Sequence, residues 1–85
     1  MWRVYVPKPL LRRLARVPSN HEARIWAALD KMQLDPFSGD IEHLTGARYR
    51  SRVGPYRIIF DADTDRHLVD VKSIDRRITT TYRKR

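Results

Sequence analysis

The first eighteen residues change from a strand pattern to a helical pattern. Residues 2–6 alternate and are rich in β-forming side chains, which predicts a first strand. Apolar residues then recur at helical spacing up to Pro18, and this spacing predicts a first helix that Pro18 closes. Its apolar stripe consists of Leu10, Leu11, Leu14 and Val17.

A second helix is predicted directly after the first. Ser19 and Glu22 have the spacing of a capping box, which indicates a helix start. The helix should run from about Asn20 to Leu34 and stop at Asp35-Pro36. Its apolar stripe contains Ile25, Leu29 and Met32. Two helices with a short joint predict a helical hairpin that packs on a sheet.

A hairpin with an arginine-rich face is predicted for residues 49–60. If Gly54-Pro55 is a two-residue loop, Val53 lies opposite Tyr56 and Arg52 lies opposite Arg57. Side chains alternate between the two faces of a strand, so one face is mostly apolar and the other collects arginines. That second face carries Arg50, Arg52, Arg57 and Ile59.

The remaining segments complete a small α+β fold. Residues 37–48 read as a connecting loop with Ile41 and Leu44 as core anchors, and residues 61–66 read as a polar turn. A fourth strand is predicted over residues 67–74, followed by a basic tail or short helix over residues 75–85. The order β-α-α-β-β-β predicts a helical hairpin on one face of a largely antiparallel four-stranded sheet.

Size and composition narrow the class of protein. The 85 residues predict one domain, and the absence of cysteine excludes disulfides and thiolate metal sites. No apolar run is long enough to span a bilayer, and residues 1–7 lack the features of a signal peptide, so we expect a cytoplasmic protein without membrane contact.

The charge is high and unevenly distributed. The net charge is +8, of which +2 falls on residues 1–47 and +6 on residues 48–85, and fourteen of the eighteen basic residues are arginine. Arginine binds phosphate through a planar fork, so an arginine-rich half is typical of a nucleic-acid surface. An acidic protein partner would also account for it, and arginine is a common decoration of solvated sheet faces. A preference for arginine codons would explain the Arg/Lys ratio but not the asymmetry.

Familiar catalytic patterns are missing from the sequence. There is no glycine-rich phosphate cradle, the spacing of Asp61, Asp63 and Asp65 lacks the rest of a calcium loop, and the three histidines fall in unrelated segments. Arginines can nonetheless support RNA cleavage by the ribose 2′-OH, because they neutralise charge that grows on the phosphorane. Tyr82 is a candidate general base, since nearby cations should lower the pKa of its phenol from about 10.

Several of these segments together resemble the RelE/ParE toxin superfamily. They are the first strand, the Leu-x-x-Leu helix, the second helix ending in Leu34-Asp35-Pro36, Leu44-Thr45-Gly46, the block Tyr49-Arg50-Ser51-Arg52-Val53-Gly54-Pro55-Tyr56-Arg57-Ile58-Ile59-Phe60, and the closing Arg76 and Tyr82-Arg83. The block from Tyr49 to Phe60 is the most specific part.

The resemblance implies the toxin of a toxin–antitoxin pair, a ribosome-dependent endoribonuclease (an mRNA interferase) that needs no metal or other cofactor. Arg50, Arg52 and Arg57 would contact the scissile phosphate, with Arg76 on the acid side and Tyr82 on the base side. We predict further RNA contacts by Arg48, Arg77, Arg83, Lys84 and Arg85. The implied partners are mRNA, 16S rRNA of the ribosome and a cognate acidic antitoxin, through which the complex would bind operator DNA indirectly.

Two departures from the family pattern leave rival functions open. Asp75 stands where many relatives have histidine, and the chain stops three residues after Tyr82, whereas the family's C-terminal helix is often longer. A ParE-like inhibitor of DNA gyrase and an RNA-binding module without catalysis are therefore the alternatives. Retention of the whole arginine–tyrosine set favours the RelE branch.

Overall fold

The structure, a computed structural model, describes residues 1–76 and contains two helices and five strands in that range. Along the chain they are β1 (Arg3–Tyr5), α1 (Lys8–Leu14), α2 (Ser19–Met32), β2 (Ile41–Thr45), β3 (Arg48–Val53), β4 (Tyr56–Asp63) and β5 (Leu68–Arg76). None of the described helices is long and apolar enough to cross a membrane.

The five strands form one sheet in the order β1-β5-β4-β3-β2. All neighbouring pairs are antiparallel except β1 and β5, which run parallel. The α+β class and the helical hairpin on a largely antiparallel sheet are thus confirmed, with five strands instead of the predicted four. The additional strand is β2, which lies in the segment predicted to be a loop and forms an edge of the sheet.

The core lies between the helices and one face of the sheet. In β4 every second residue is buried, and these residues meet buried side chains of β5 and of both helices. The buried core residues include Leu14, Ile25, Leu29, Ile58, Phe60, Val69, Val71 and Ile74. Alternation with period two explains this arrangement, because it sends the other residues of β3, β4 and β5 to the opposite face.

The hairpin between β3 and β4 has the predicted register. Val53 pairs with Tyr56 and Arg52 pairs with Arg57, so Gly54-Pro55 is a two-residue loop. Gly54 has φ +57°, as a two-residue turn with glycine at its first central position requires. Proline suits the second position because its φ is fixed at about −65°.

The helix ends differ from the prediction in two respects. The first helix ends at Leu14, well before Pro18, and Pro18 instead occupies the position before α2. Ser19 therefore lies inside the helix, and no side chain caps its start, so the predicted capping box is wrong. Glu22 accepts a hydrogen bond from Trp26 Nε1 at 3.3 Å.

The anchors predicted in residues 37–48 behave differently from each other. Ile41 packs against the core, whereas Leu44 remains 39% exposed. Only one of the five β2 residues is even partly buried, so this strand is held mainly by its backbone pairing with β3.

Candidate nucleic-acid interface

Three arginines share the face of the sheet opposite the helices, which we call the open face. Arg50 and Arg52 alternate with buried Ser51 on β3, and Arg57 lies between buried Tyr56 and Ile58 on β4. The predicted grouping of Arg50, Arg52 and Arg57 on one face is therefore present. The side chains are held by two neighbouring strands of a hydrogen-bonded ladder, which fixes their spacing.

Arg52 and Arg57 form a pair of like charges at the tip of the hairpin. They are directly opposite in the register, and such residues have Cβ atoms about 4.5–5.5 Å apart. Neither forms an ion pair with another residue of the described range. Two uncompensated guanidinium groups this close disfavour the folded sheet and attract an anion.

Arg50 is held more firmly than its two neighbours. Its side chain is only 23% exposed, its Nη2 pairs with Glu42 of β2, and its Nε is buried without a hydrogen-bond partner in the described structure. Glu42 was not predicted as a site residue, because the sequence pattern assigned its segment to a loop. Its position directly opposite Arg50 requires the edge strand β2.

Arg48, a predicted RNA contact, is engaged by Asp61. Arg48 Nε and Nη2 donate to the two carboxylate oxygens at 2.8 and 3.1 Å. The hydrogen bond from Arg48 is the main reason why the pKa of Asp61 lies below its ordinary value, with a smaller contribution from Lys72. Asp61 in turn raises the pKa of Arg48. An RNA phosphate would have to compete with this bidentate pair, so Arg48 is less available than Arg52 or Arg57.

Lys72 marks an irregularity in the same face. Ile59 pairs with Ser73 and Phe60 pairs with Val71, which leaves Lys72 as an extra residue on β5. Its Nζ lies 2.9 Å from a carboxylate oxygen of Asp70, and this hydrogen bond raises the pKa of Lys72. The charges in this half of the open face are therefore paired, unlike those at the hairpin tip.

Arg76 lies around the end of the sheet from the three open-face arginines. It pairs with Tyr56, whose side chain is buried on the helix side. Arg76 and Tyr56 line an open cleft of about 580 Å³ together with Pro9, Leu10, Arg12, Arg13, Arg16 and Val17. Arg76 follows Asp75, the residue opposite Arg57, so alternation places Arg57 and Arg76 on different faces, and an RNA backbone would have to bend around this end of the sheet to contact both.

The other predicted site residues lie outside the described range. These are the candidate base Tyr82 and the RNA contacts Arg77, Arg83, Lys84 and Arg85. Their roles stay predictions.

The histidines have local roles in the described structure. His43 Nε2 is 2.8 Å from the carbonyl oxygen of Gly46, and His67 stacks on Trp2 with ring centroids 4.7 Å apart. The rings of His21 and Tyr56 pack against each other with their centroids 5.5 Å apart. Residues 1–76 contain no group of three or more histidine and acidic side chains arranged to hold a metal ion.

Comparison with known proteins gives a result for structure but not for sequence. No protein-family model matches the chain, and no curated protein sequence is significantly similar to it. Solved structures do match. A chain of the archaeal RelE–RelB complex from Pyrococcus horikoshii OT3 has a TM-score of 0.85 and 23% identity, and the match covers 93% of this chain and 98% of that chain.

Two further solved structures agree with the first. The isolated RelE toxin of E. coli has a TM-score of 0.78 at 12% identity, over 95% of this chain and 89% of that chain. A chain of the toxin–antitoxin complex RelBE2 from Mycobacterium tuberculosis has a TM-score of 0.76 at 19% identity, over 89% of this chain and 98% of that chain. The fold that the sequence resemblance predicted is therefore confirmed, and the chain has the fold of the RelE toxins.

Proposed function

We propose that this protein is the toxin of a toxin–antitoxin pair and a RelE-like, ribosome-dependent endoribonuclease. The observation that carries the proposal is the pair of uncompensated guanidinium groups of Arg52 and Arg57 on the open face, beside Arg50. A sheet that retains opposed like charges gives up some stability, and binding of a phosphate would offset that loss. The shared fold with RelE toxins supports the same assignment.

The proposed reaction is attack by a ribose 2′-OH on the adjacent phosphodiester of mRNA. The bond from phosphorus to the leaving 5′-oxygen breaks as the new bond to the 2′-oxygen forms, and a 2′,3′-cyclic phosphate results. Arg52 and Arg57 neutralise the charge that grows on the phosphorane, and Arg50 lies beside them, fixed by an ion pair with Glu42 that partly offsets its charge. The reaction needs no metal, because the guanidinium groups supply the electrostatic stabilisation.

The remaining catalytic roles are assigned to Tyr82 and Arg76. Tyr82 is proposed to take the proton from the 2′-OH, and Arg76 to stabilise the leaving 5′-oxygen, which takes up a proton from water. A guanidinium is a poor proton donor, so the contribution of Arg76 is chiefly electrostatic. The scissile phosphate must then lie at the end of the sheet where β4 begins and β5 ends, between Arg57 on one face and Arg76 on the other.

The proposed partners follow from charge and from the nature of the structural neighbours. The net charge of +8 favours polyanions, which fits mRNA and 16S rRNA in the decoding site, and it also fits an acidic antitoxin. Two of the neighbouring structures are complexes, RelE–RelB and RelBE2. We propose a cognate antitoxin that neutralises this chain and links it to operator DNA, and a cytoplasmic location.

A cleavage assay on translating ribosomes tests the proposal. Purified protein should cut mRNA only when ribosomes are present, and the fragments should carry cyclic phosphate ends. We expect Arg57→Ala to lower the cleavage rate by about 10²–10³-fold, the loss typical of one oxyanion-stabilising donor. Tyr82→Phe should also abolish cleavage. Arg66→Ala, at the turn between β4 and β5, serves as the control and should cleave normally.

Two outcomes would refute the nuclease assignment, and a third would refute the proposed active site. Trapping of cleaved supercoiled DNA by gyrase would indicate a gyrase inhibitor. RNA that is shifted in a gel but stays intact with ribosomes would indicate a binding module. Undiminished cleavage by a folded Arg57→Ala variant would place the active site elsewhere.

A further inference from the structure

Asp75 occupies a position that should weaken the candidate site. It lies directly opposite Arg57 in the pairing of β4 with β5, so the two Cβ atoms are about 4.5–5.5 Å apart. A carboxylate at that distance is a natural partner for the Arg57 guanidinium and would compete with an RNA phosphate. Yet Arg57 forms no ion pair within the described part of the chain.

The carboxylate of Asp75 instead binds Arg13 of α1. Arg13 Nη2 lies 3.0 Å from Asp75 Oδ1, and Arg13 Nε donates to the carbonyl oxygen of Ile74 at 2.6 Å. One guanidinium therefore holds both the backbone of β5 and the side chain of the next residue. The two bonds fix the orientation of the Arg13 fork better than an isolated surface pair would, because a single planar group serves both.

The position of α1 explains how Arg13 reaches this point. β1 pairs with β5 only over residues 68–70, so the second half of β5 is not covered by β1. α1 follows β1 in the chain and lies beside this uncovered edge, where the Ile74 carbonyl is available. Arg13 thus donates to the uncovered edge of β5 and holds the Asp75 carboxylate away from Arg57.

We propose that Arg13 is a positioning residue that keeps the Arg57 guanidinium available for RNA by holding Asp75. This inference rests on the proposed function in one respect, that Arg57 contacts the scissile phosphate. Arg13 itself touches no substrate. Without it, Asp75 and Arg57 would pair across the strands, and RNA would have to displace that pair.

The size of the effect follows from exposure. The side chains of Arg13 and Asp75 are 54% and 53% exposed, so a new pair between Asp75 and Arg57 would also be solvent-screened. Removal of Arg13 should therefore slow cleavage by about two- to fivefold, the range that corresponds to an exposed ion pair. Loss of Arg57 itself should have a far larger effect, about 10²-fold or more.

A double-mutant cycle tests this role in single-turnover cleavage of ribosome-bound mRNA. The variants are Arg13→Met, Asp75→Asn and the double mutant, with Lys8→Met on α1 as the control for loss of one positive charge from the same helix. We expect Arg13→Met to be two- to fivefold slower than Lys8→Met. Asp75→Asn should restore the rate in the Arg13→Met background, because the competing carboxylate is then gone. Thermal melts of all four variants separate folding from function.

Two results would overturn the inference. One is an Arg13→Met rate equal to that of Lys8→Met. The other is a slow Arg13→Met variant that Asp75→Asn fails to restore, because this would show that Arg13 only supports the β5 edge. Arg57→Ala is included to separate the two proposals. If it cleaves normally, the proposed role of Arg57 at the scissile phosphate fails, and if it is inactive while the cycle shows no coupling, only the role of Arg13 fails.

Discussion

Reversal of one charge in the opposed arginine pair should stabilise the fold and abolish activity together. Arg52→Glu places a carboxylate directly opposite Arg57 and turns a cross-strand repulsion into an attraction. Arg52 is exposed and lies next to the hairpin loop, so the change does not alter the core. A sheet selected only for stability would not retain arginine at both of these opposed positions.

The magnitude can be worked from the register. Two unit charges about 5 Å apart in water interact by about 0.8 kcal/mol, and physiological salt reduces this to about 0.5 kcal/mol. Repulsion lost and attraction gained together raise the free energy of unfolding by about 1 kcal/mol. For a domain of this size that corresponds to an increase of about 4–8 °C in Tm. Arg52→Gln removes the repulsion alone and should give about half of the increase.

Thermal unfolding followed by circular dichroism, in parallel with the ribosome cleavage assay, measures both effects. The gain in Tm should shrink in high salt, because screening weakens the charge interaction. Arg3→Glu is the matched control, since it changes the net charge equally but lies opposite Leu68 instead of a cation. The reasoning is refuted if Arg52→Glu melts no higher than wild type, or if it melts higher and still cleaves mRNA at the wild-type rate.

Two further predictions concern the turn and the Arg48–Asp61 pair. Gly54→Ala should lower the free energy of unfolding by about 1–2 kcal/mol, because alanine disfavours the left-handed φ of this residue. The loss should exceed that of Gly46→Ala, because of these two positions only 54 would bring the new Cβ within 3.1 Å of the Arg24 guanidinium. Equal losses in urea unfolding would show that this contact is unimportant. Asp61→Asn should destabilise the fold at neutral pH, since the pKa of Asp61 is lowered in the folded chain and its contribution is complete above the ordinary value of 3.8. The difference from wild type should fade as the pH falls through the lowered folded pKa, and a difference that persists at lower pH would contradict the role of Arg48.

The sequence was most informative where local rules determine the structure. The register of the hairpin follows from a two-residue loop and strict alternation, so the opposition of Arg52 and Arg57 could be predicted without long-range information. The grouping of Arg50 with them follows from the same alternation.

Features that depend on distant segments could not be predicted. Residues of β2 are mostly exposed and show no alternation in burial, so neither the strand nor the contact of Glu42 with Arg50 has a local signal. The capping box was wrong because Pro18, with its fixed φ, takes the position before α2 and moves Ser19 into the helix. The bond from Arg13 to Asp75 joins residues far apart in the chain, and only the placement of α1 beside β5 reveals it.

The parallel pairing of β1 with β5 has a consequence for synthesis of the chain. β1 can pair with its neighbour in the sheet only after residues 68–70 have been made. In the sheet β5 lies between β1 and β4. β1 therefore cannot join the sheet of β2, β3 and β4 before β5 is present. Because such long-range contacts are slow to form, we expect a nascent chain to remain inert until β5 has been made and can pair with β1.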